Sequence, residues 1–274
     1  MRTVRLCTDS SAQLPAELAA SIGAIVVPIP IAVDGRPFEE GVDLNPDWFY
    51  DALASGAHVT TSQPNPARFL LAYEEALESG VAEVLSVHLS AATSGTVAAA
   101  RKAAEDAPLP VAVVDTGTAS FGVGICVLEA ARAIDCGASP AEAAAGIARL
   151  APAIGNVFVA AGAPGGRVPS ASGRPVFSFS GGAATQLATA ADDEEAVVAM
   201  AEHIAAQGGS LAVAVGHAAA FTEAHADELA AALRRAGIGE QVRYRIGPSV
   251  GAHTGPDSYG AFWWPGSART QHDR

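Results

Sequence analysis

The sequence predicts an α/β protein in two lobes: a Rossmann-like lobe built on a parallel sheet, followed by a smaller α+β lobe. Three observations predict it. Through the first 150 residues, short β-branched runs alternate with amphipathic helical stretches at the spacing of βαβ units, which puts helices on both faces of the sheet. One of those runs, residues 111–114, is wholly apolar, as a strand covered on both faces must be. After Ala151-Pro152 the texture changes, and two helical stretches flank one strand. We therefore read 1–150 as the first lobe, 151–264 as the second, and 265–274 as a polar tail. The 274 residues, 50% hydrophobic, are enough to bury a full core in one large or two modest domains.

Each element has its own signal. Residues 4–7 form a strand that runs into Thr8-Asp9-Ser10-Ser11, and a helix starts near Pro15-Ala16-Glu17. Residues 25–33 are extended, but Pro28 and Pro30 place them at an edge or bend, because proline offers a ladder no N–H. Asp34-Gly35 is a turn pair. Asn65-Pro66 is an N-cap followed by proline at the first helical position. In the helix beyond it, Phe69, Leu70, Tyr73 and Leu77 share one face. Residues 84–89 are the next strand, and Ser94-Gly95-Thr96 opens an alanine-rich helix. A helix over 122–134 follows strand 111–114. Ser139-Pro140-Ala141-Glu142 is then a capping box that opens a helix to Leu150. In the second lobe, 156–160 is strand-like, 162–173 is loop-rich and 174–179 alternates. Helices over 192–207 and 222–236 flank strand 210–215, and 241–246 and 259–264 are closing strands.

Charge and composition exclude several functions. Sixteen Lys and Arg against 29 Asp and Glu leave a formal net charge of −13. Such a surface repels polyanions, so no nucleic-acid partner and no docking on anionic lipid are expected. Lys102 is the sole lysine, and the lysine-bearing phosphate loop of nucleotide-binding folds is absent. Cys7, Cys126 and Cys136 lack any C-x-x-C or Cys/His spacing, and His88, His203, His217 and His225 lack H-E-x-x-H spacing. No metal and no cofactor are expected. The first strand starts without a long apolar leader, and the uncharged stretches are broken by Ser, Gly and Pro. The expectation is a cytoplasmic protein with no stable membrane anchor.

Four polar clusters remain. Thr60-Thr61-Ser62-Gln63-Pro64-Asn65-Pro66 either caps a helix or meets an anion with its hydroxyls and the N–H groups of the helix start. Residues 90–96, Ser-Ala-Ala-Thr-Ser-Gly-Thr, form a strand-to-helix turn of small residues, the place where doubly wound sheets bind ligands. Residues 246–256 hold His253 and Thr254 among three glycines and two prolines, which reads as a tightly folded loop. His253 is either a structural residue or one that faces a ligand. Gly165-Gly166-Arg167 is either a surface turn or an arginine aimed at a carboxylate or a partner. Asp115-Thr116-Gly117 looks like an aspartic-protease signature. That chemistry needs two carboxylates sharing a proton, and only one copy occurs here.

Taken in order, these clusters resemble the DegV-type fatty-acid-binding proteins along almost the whole chain. The matching pieces are Thr8-Asp9-Ser10-Ser11, Val27-Pro28-Ile29 with Asp34-Gly35, and Thr61-Ser62-Gln63-Pro64. They continue with Ser94-Gly95-Thr96, Asp115 with Ser120 and Gly122, Gly165-Gly166-Arg167, Arg174-Pro175 and His217-Ala218. Ile246-Gly247-Pro248 and His253-Thr254-Gly255-Pro256 complete the set. The resemblance implies a two-lobed fold that encloses one long-chain fatty acid and shows its carboxylate to a separate fatty-acid kinase. It implies no catalysis by the carrier itself. The carboxylate site would comprise Thr61, Ser94, Gly95 and His253, with Ser62 and Thr254 as neighbours. Ser90, Asp9 and Arg167 would stand behind it or toward the partner. The chain departs from the family pattern at Ala91 and Thr93, where Ser and Leu are usual, and at residues 160–164, where a Leu and a Lys pair are usual. A competing expectation is a small-molecule hydrolase or acyltransferase using Ser94 or Ser62 with His253, oriented by Asp9 or Asp115.

Overall fold

The computed structural model describes residues 3–160 and 173–266. The first part of the chain gives β1 (Val4–Asp9), α1 (Ala16–Ser21), β2 (Ile25–Val27), β3 (Pro30–Val33), β4 (Arg36–Glu39), α2 (Pro46–Ala54) and β5 (Val59–Thr61). Next come α3 (Pro66–Glu78), β6 (Glu83–His88), α4 (Thr96–Glu105), β7 (Val111–Asp115), α5 (Phe121–Asp135) and α6 (Pro140–Leu150). The remainder gives β8 (Gly155–Val159), β9 (Arg174–Ser180), β10 (Ala183–Ala190), α7 (Asp193–Ala205), β11 (Leu211–His217), α8 (Glu223–Arg235), β12 (Glu240–Arg245), α9 (Pro248–Thr254) and β13 (Tyr259–Pro265).

The parallel sheet has strand order β2-β1-β6-β7. Successive strand side chains point to opposite faces. Cys7 and Val84 therefore meet Phe69 and Tyr73 of α3 and Ala100 of α4 on one side. Leu6 and Leu85 meet Val123 and Val127 of α5 and Ile147 of α6 on the other. This is the doubly covered α/β arrangement that the sequence predicts.

The second large sheet has the order β10-β9-β8-β13-β11-β12. Met200 and Ile204 of α7 and Leu229 and Leu233 of α8 cover one of its faces, against Val157, Val213, Tyr259 and Trp263. The alternate residues Ala214 and Phe262 point the other way. They share a core with Phe49, Tyr50, Phe121 and Ile125 from the first 150 residues. This shared core thus joins the six-stranded sheet to β3, α2 and α5. The last strand, β13, fills the middle of its sheet, antiparallel to both β8 and β11.

A third, antiparallel sheet, β4-β3-β5, corrects the sequence reading of 25–33 as one run. Pro28 falls in a break: β2 pairs with β1, whereas β3 pairs with β4 and β5. Asp34 (φ 50°) and Gly35 (φ 79°) form the two-residue turn from β3 to β4, with left-handed backbone at both positions. Strands β4, β5 and β10 are too short or too polar to be read from periodicity. Helix α2 does carry a signal, since Asn45-Pro46 repeats the start at Asn65-Pro66 and the Asn45 side chain accepts the Trp48 N–H at 3.0 Å.

The largest correction concerns residues 246–256. They do not form a loop. Pro248–Thr254 is a short helix, α9, ended by Gly255 at φ 89°. Pro248 presets the first turn. Local propensity is otherwise poor, so burial of Pro248, Ser249 and Gly251 supplies what the sequence lacks. Tyr50 of α2 anchors the approach by donating its hydroxyl to the Ile246 carbonyl at 2.6 Å. Among the described residues, no helix is long and apolar enough to cross a membrane.

Leu229 is fully buried in the core between α8 and the six-stranded sheet. Leu229→Ala should lower unfolding free energy by about 2–5 kcal/mol, read as a lower urea midpoint at unchanged m-value.

Candidate functional site

In a doubly wound sheet, the turns beyond the carboxyl ends of the strands converge on one crevice. Here the turns after β1 and β6 meet the end of β5 and helix α9 around a cavity of about 570 Å³. The inner wall is the face of the six-stranded sheet turned away from α7 and α8. Thr61, Ser62, Ser94, Gly95, His253 and Thr254, the six residues expected from the sequence, all line this one cavity.

Local structure explains each placement. Thr61 ends β5, whose pairing to β3 fixes its direction. His253 sits in the last turn of α9 with its Nε2 3.1 Å from the Thr61 hydroxyl, a contact across 192 residues of sequence. The Ser94 hydroxyl lies 2.8 Å from that of Thr96 at the start of α4. Gly95 presses against the Gln63 side chain so closely that a Cβ would fall inside the carboxamide. The T-S-Q-P and S-G-T segments are therefore in direct contact, and a side chain at residue 95 would push the Gln63 carboxamide aside. Thr254 directs its hydroxyl to the Val250 carbonyl at 3.4 Å.

The residues expected behind the site divide. Ser90 does not line the cavity. Its carbonyl accepts from the Thr93 hydroxyl at 2.9 Å and its hydroxyl from the Ala92 N–H at 3.2 Å, so it shapes the turn that carries Ser94. Asp9 is wholly buried and accepts from the N–H and hydroxyl of Ser11, which does line the cavity. Arg167, with Gly165 and Gly166, lies outside the described residues.

Neither carboxylate considered as an orienter reaches His253. The other Asp9 oxygen is 2.8 Å from His88 Nδ1. His88 Nε2 lies 2.7 Å from the Ser86 hydroxyl, which is 3.0 Å from that of Tyr73. This Asp-His-Ser chain is sealed in the core, with Ser86 and His88 inaccessible to solvent. Asp115 accepts N–H groups of Gly117 at 2.9 Å and Ala91 at 3.3 Å, and so ties two loops together. Ser94 and His253 thus lack the mutual geometry of a nucleophile, a base and an orienter.

The cavity is lined by no charged residue among those described. Deeper polar groups direct their hydrogens to protein acceptors: Ser11 to Asp9, Ser258 to the Thr254 carbonyl at 2.8 Å, and Asn156 to the Phe179 carbonyl at 2.7 Å. Beside them stand Phe158, Phe179, Tyr244, Ile246 and Phe262, which leave an apolar wall. At the mouth, Ser62, Gln63 and His253 are accessible to solvent. The protein around the His253 ring nevertheless removes enough water to hold its pKa below the usual histidine value. A neutral imidazole keeps one N–H donor and one acceptor. Gln63, Ser11 and the aromatic wall are absent from the sequence-based site. Alternation along β8 and β13 carries the signal for Phe158 and Phe262, but not which sheet face is the wall. Among the described residues, no group of His, Cys, Asp and Glu is placed to hold a metal ion.

Fold and site together define an α/β protein of two large sheets closed around an apolar cavity with a neutral polar mouth. The chain belongs to the DegV family: residues 3–266 match the family model described as "Uncharacterised protein, DegV family". It is 34% identical to a DegV domain-containing protein of Streptomyces coelicolor, over 94% of this chain and 97% of the relative. It is 30% identical to one from Deinococcus radiodurans, over 97% and 100%. Among solved structures it resembles a DegV family protein from Thermus thermophilus described for its fatty acid binding (28% identity, TM-score 0.84, covering 97% and 100% of the two chains). It is also similar to a fatty acid binding DegV family protein of Streptococcus agalactiae (25%, TM-score 0.82, 96% and 99%).

The lowered His253 pKa predicts that its ring resonances titrate with a midpoint below the unperturbed value of about 6.5, because burial disfavours the imidazolium. NMR of the wild type against His253→Asn would assign the transition. A midpoint at or above the unperturbed value would contradict the desolvated environment.

Proposed function

We propose that the protein binds one long-chain fatty acid, with its carboxylate at Thr61, Ser62, Ser94, Gly95, His253 and Thr254 and its chain along the apolar wall. The observation that carries this reading is the polarity gradient of the cavity, from hydroxyls and one neutral imidazole at the mouth to aromatic and aliphatic groups inside. The fatty-acid-binding relatives from Thermus thermophilus and Streptococcus agalactiae support it. We take the two lobes, 1–150 and 151–264, as the halves that enclose the chain.

The energetics suit such a ligand. Each buried methylene contributes about 0.8 kcal/mol, so the acyl chain dominates affinity. Neutral donors orient a single carboxylate without the heavy desolvation cost of an unpaired lysine or arginine in an apolar cleft. Asp9 and Ser90 act behind these donors, through Ser11 and through the turn that carries Ser94. The exposed mouth leaves the carboxylate within reach of a second protein. In this reading the protein is a cytoplasmic carrier, not an enzyme, and it presents the acid to a fatty-acid kinase that carries out the phosphoryl transfer. Arg167 belongs to the partner side of that reading.

Native mass spectrometry of protein purified from a bacterial host should show one fatty acid per chain. Protein that emerges lipid-free and takes up none when offered would refute the proposal. Thr61→Ala and His253→Ala should each weaken binding about tenfold, with far-UV circular dichroism unchanged. A bound carboxylate beside His253 raises the imidazole pKa that burial lowers, so binding takes up a proton. Affinity should then be higher at about pH 6 than at about pH 8 in the wild type, and this slope should vanish in His253→Asn.

A further inference from the structure

The proposed head-group site needs His253 opposite Thr61, yet α9, seven residues long with Pro248 and Gly251 in it, is too short to hold itself there. Its first turn is instead held by side chains from the opposite end of the chain. Gln13, in the turn after β1, accepts the Gly247 N–H with its side-chain oxygen. The Gln13 amide nitrogen donates to the Ser10 carbonyl at 3.1 Å and lies 3.4 Å from the Ser249 hydroxyl. Glu40, just past β4, is only 6% exposed. One of its carboxylate oxygens accepts the Ser249 N–H at 2.9 Å, and the other accepts the Ser10 hydroxyl. Burial pushes the Glu40 carboxyl up, and hydrogen bonds from Ser10 and Ser249 pull it back. A Cβ at Gly247 would force the Glu40 and Gln13 side-chain oxygens to move from their places.

A buried carboxylate is costly unless its hydrogen bonds are made. One that accepts from both halves of the molecule fixes their mutual position. Ser249 and His253 are four residues apart on α9, hence on one helical face, and both line the cavity. A shift of Ser249 is therefore passed to His253 one turn later.

We propose that Glu40 is a positioning residue of the carboxylate site, gripping the Ser249 end of α9 so that His253 stands against Thr61. It touches no ligand and acts through His253. This inference rests on the fatty-acid reading above, and the experiment separates the two.

Binding of palmitate and of methyl palmitate would be measured by titration calorimetry for the wild type, Glu40→Ala, Gly247→Ala, His253→Ala and the Glu40→Ala/His253→Ala double variant. Palmitate binding by the wild type tests the fatty-acid reading, and its absence would remove that reading and this one together. If the wild type binds, Glu40→Ala and Gly247→Ala should each lower palmitate affinity about tenfold while changing methyl palmitate affinity little, because the apolar wall is untouched. The double variant should bind palmitate no more weakly than His253→Ala alone, since the Glu40 effect runs through that ring. Three results would overturn the role of Glu40: equal losses for acid and ester, additive losses in the double variant, or unchanged palmitate affinity. Should Glu40→Ala fail to fold, Gly247→Ala carries the same comparison with Glu40 intact.

Discussion

The structure depends on one docking event, the seating of α9 on the first half of the chain. This seven-residue helix packs on α2, β3 and β5 and is held by Tyr50, Gln13 and Glu40. It brings His253 to Thr61 and closes one side of the cavity. Without that contact the parallel sheet would end in open turns, and the far wall would have no mouth. The Tyr50 and Glu40 hydrogen bonds that hold it are buried and span more than 190 residues, so they reward only a nearly complete fold. Contacts of such sequence separation form late and cooperatively.

Polarity follows from the same construction. A parallel sheet collects its loop starts at one edge, and small residues there leave backbone and hydroxyl groups exposed to the crevice. The six-stranded sheet faces that crevice with alternate residues of β8 and β13, among them Phe158 and Phe262. Its other face is fully occupied by α7 and α8. A polar edge set against an apolar face gives an amphipathic cavity with no charged lining among the described residues. The net charge of −13 opposes extended anions, whereas neutral donors at short range suit the single head group of the proposed ligand.

Two Asp-centred networks show how polar residues near the site divide between holding and exposing. Asp9 organises His88, Ser86 and Tyr73 within the core and turns only Ser11 toward the cavity. Asp115 knits the loops after β6 and β7. Both carry motifs that invite a catalytic reading, and both have their acceptors occupied by structural partners. Burial of Asp9 and the loop contacts of Asp115 separate them from His253 more decisively than any spacing in the sequence.

By itself the sequence determined the doubly covered parallel sheet, the capping box at Ser139 and the turn at Asp34-Gly35, and its family resemblance pointed to six residues that lie together along one cavity. These rest on local physics, namely periodicity, caps and the small residues that end parallel strands, or on an ordered set of motifs. Tertiary structure alone decided the rest. It split 25–33 between two sheets at Pro28, because each half finds a different pairing partner. It made a helix of 248–254, because burial against α2 and β5 outweighs poor propensity. It placed the last strand at the centre of its sheet and assigned Asp9 to His88. It also revealed Glu40 and Gln13, whose roles lie in what they touch more than 200 residues away. Long-range contact leaves no periodic trace, so a residue whose task is to hold a distant helix looks in the sequence like any other polar residue.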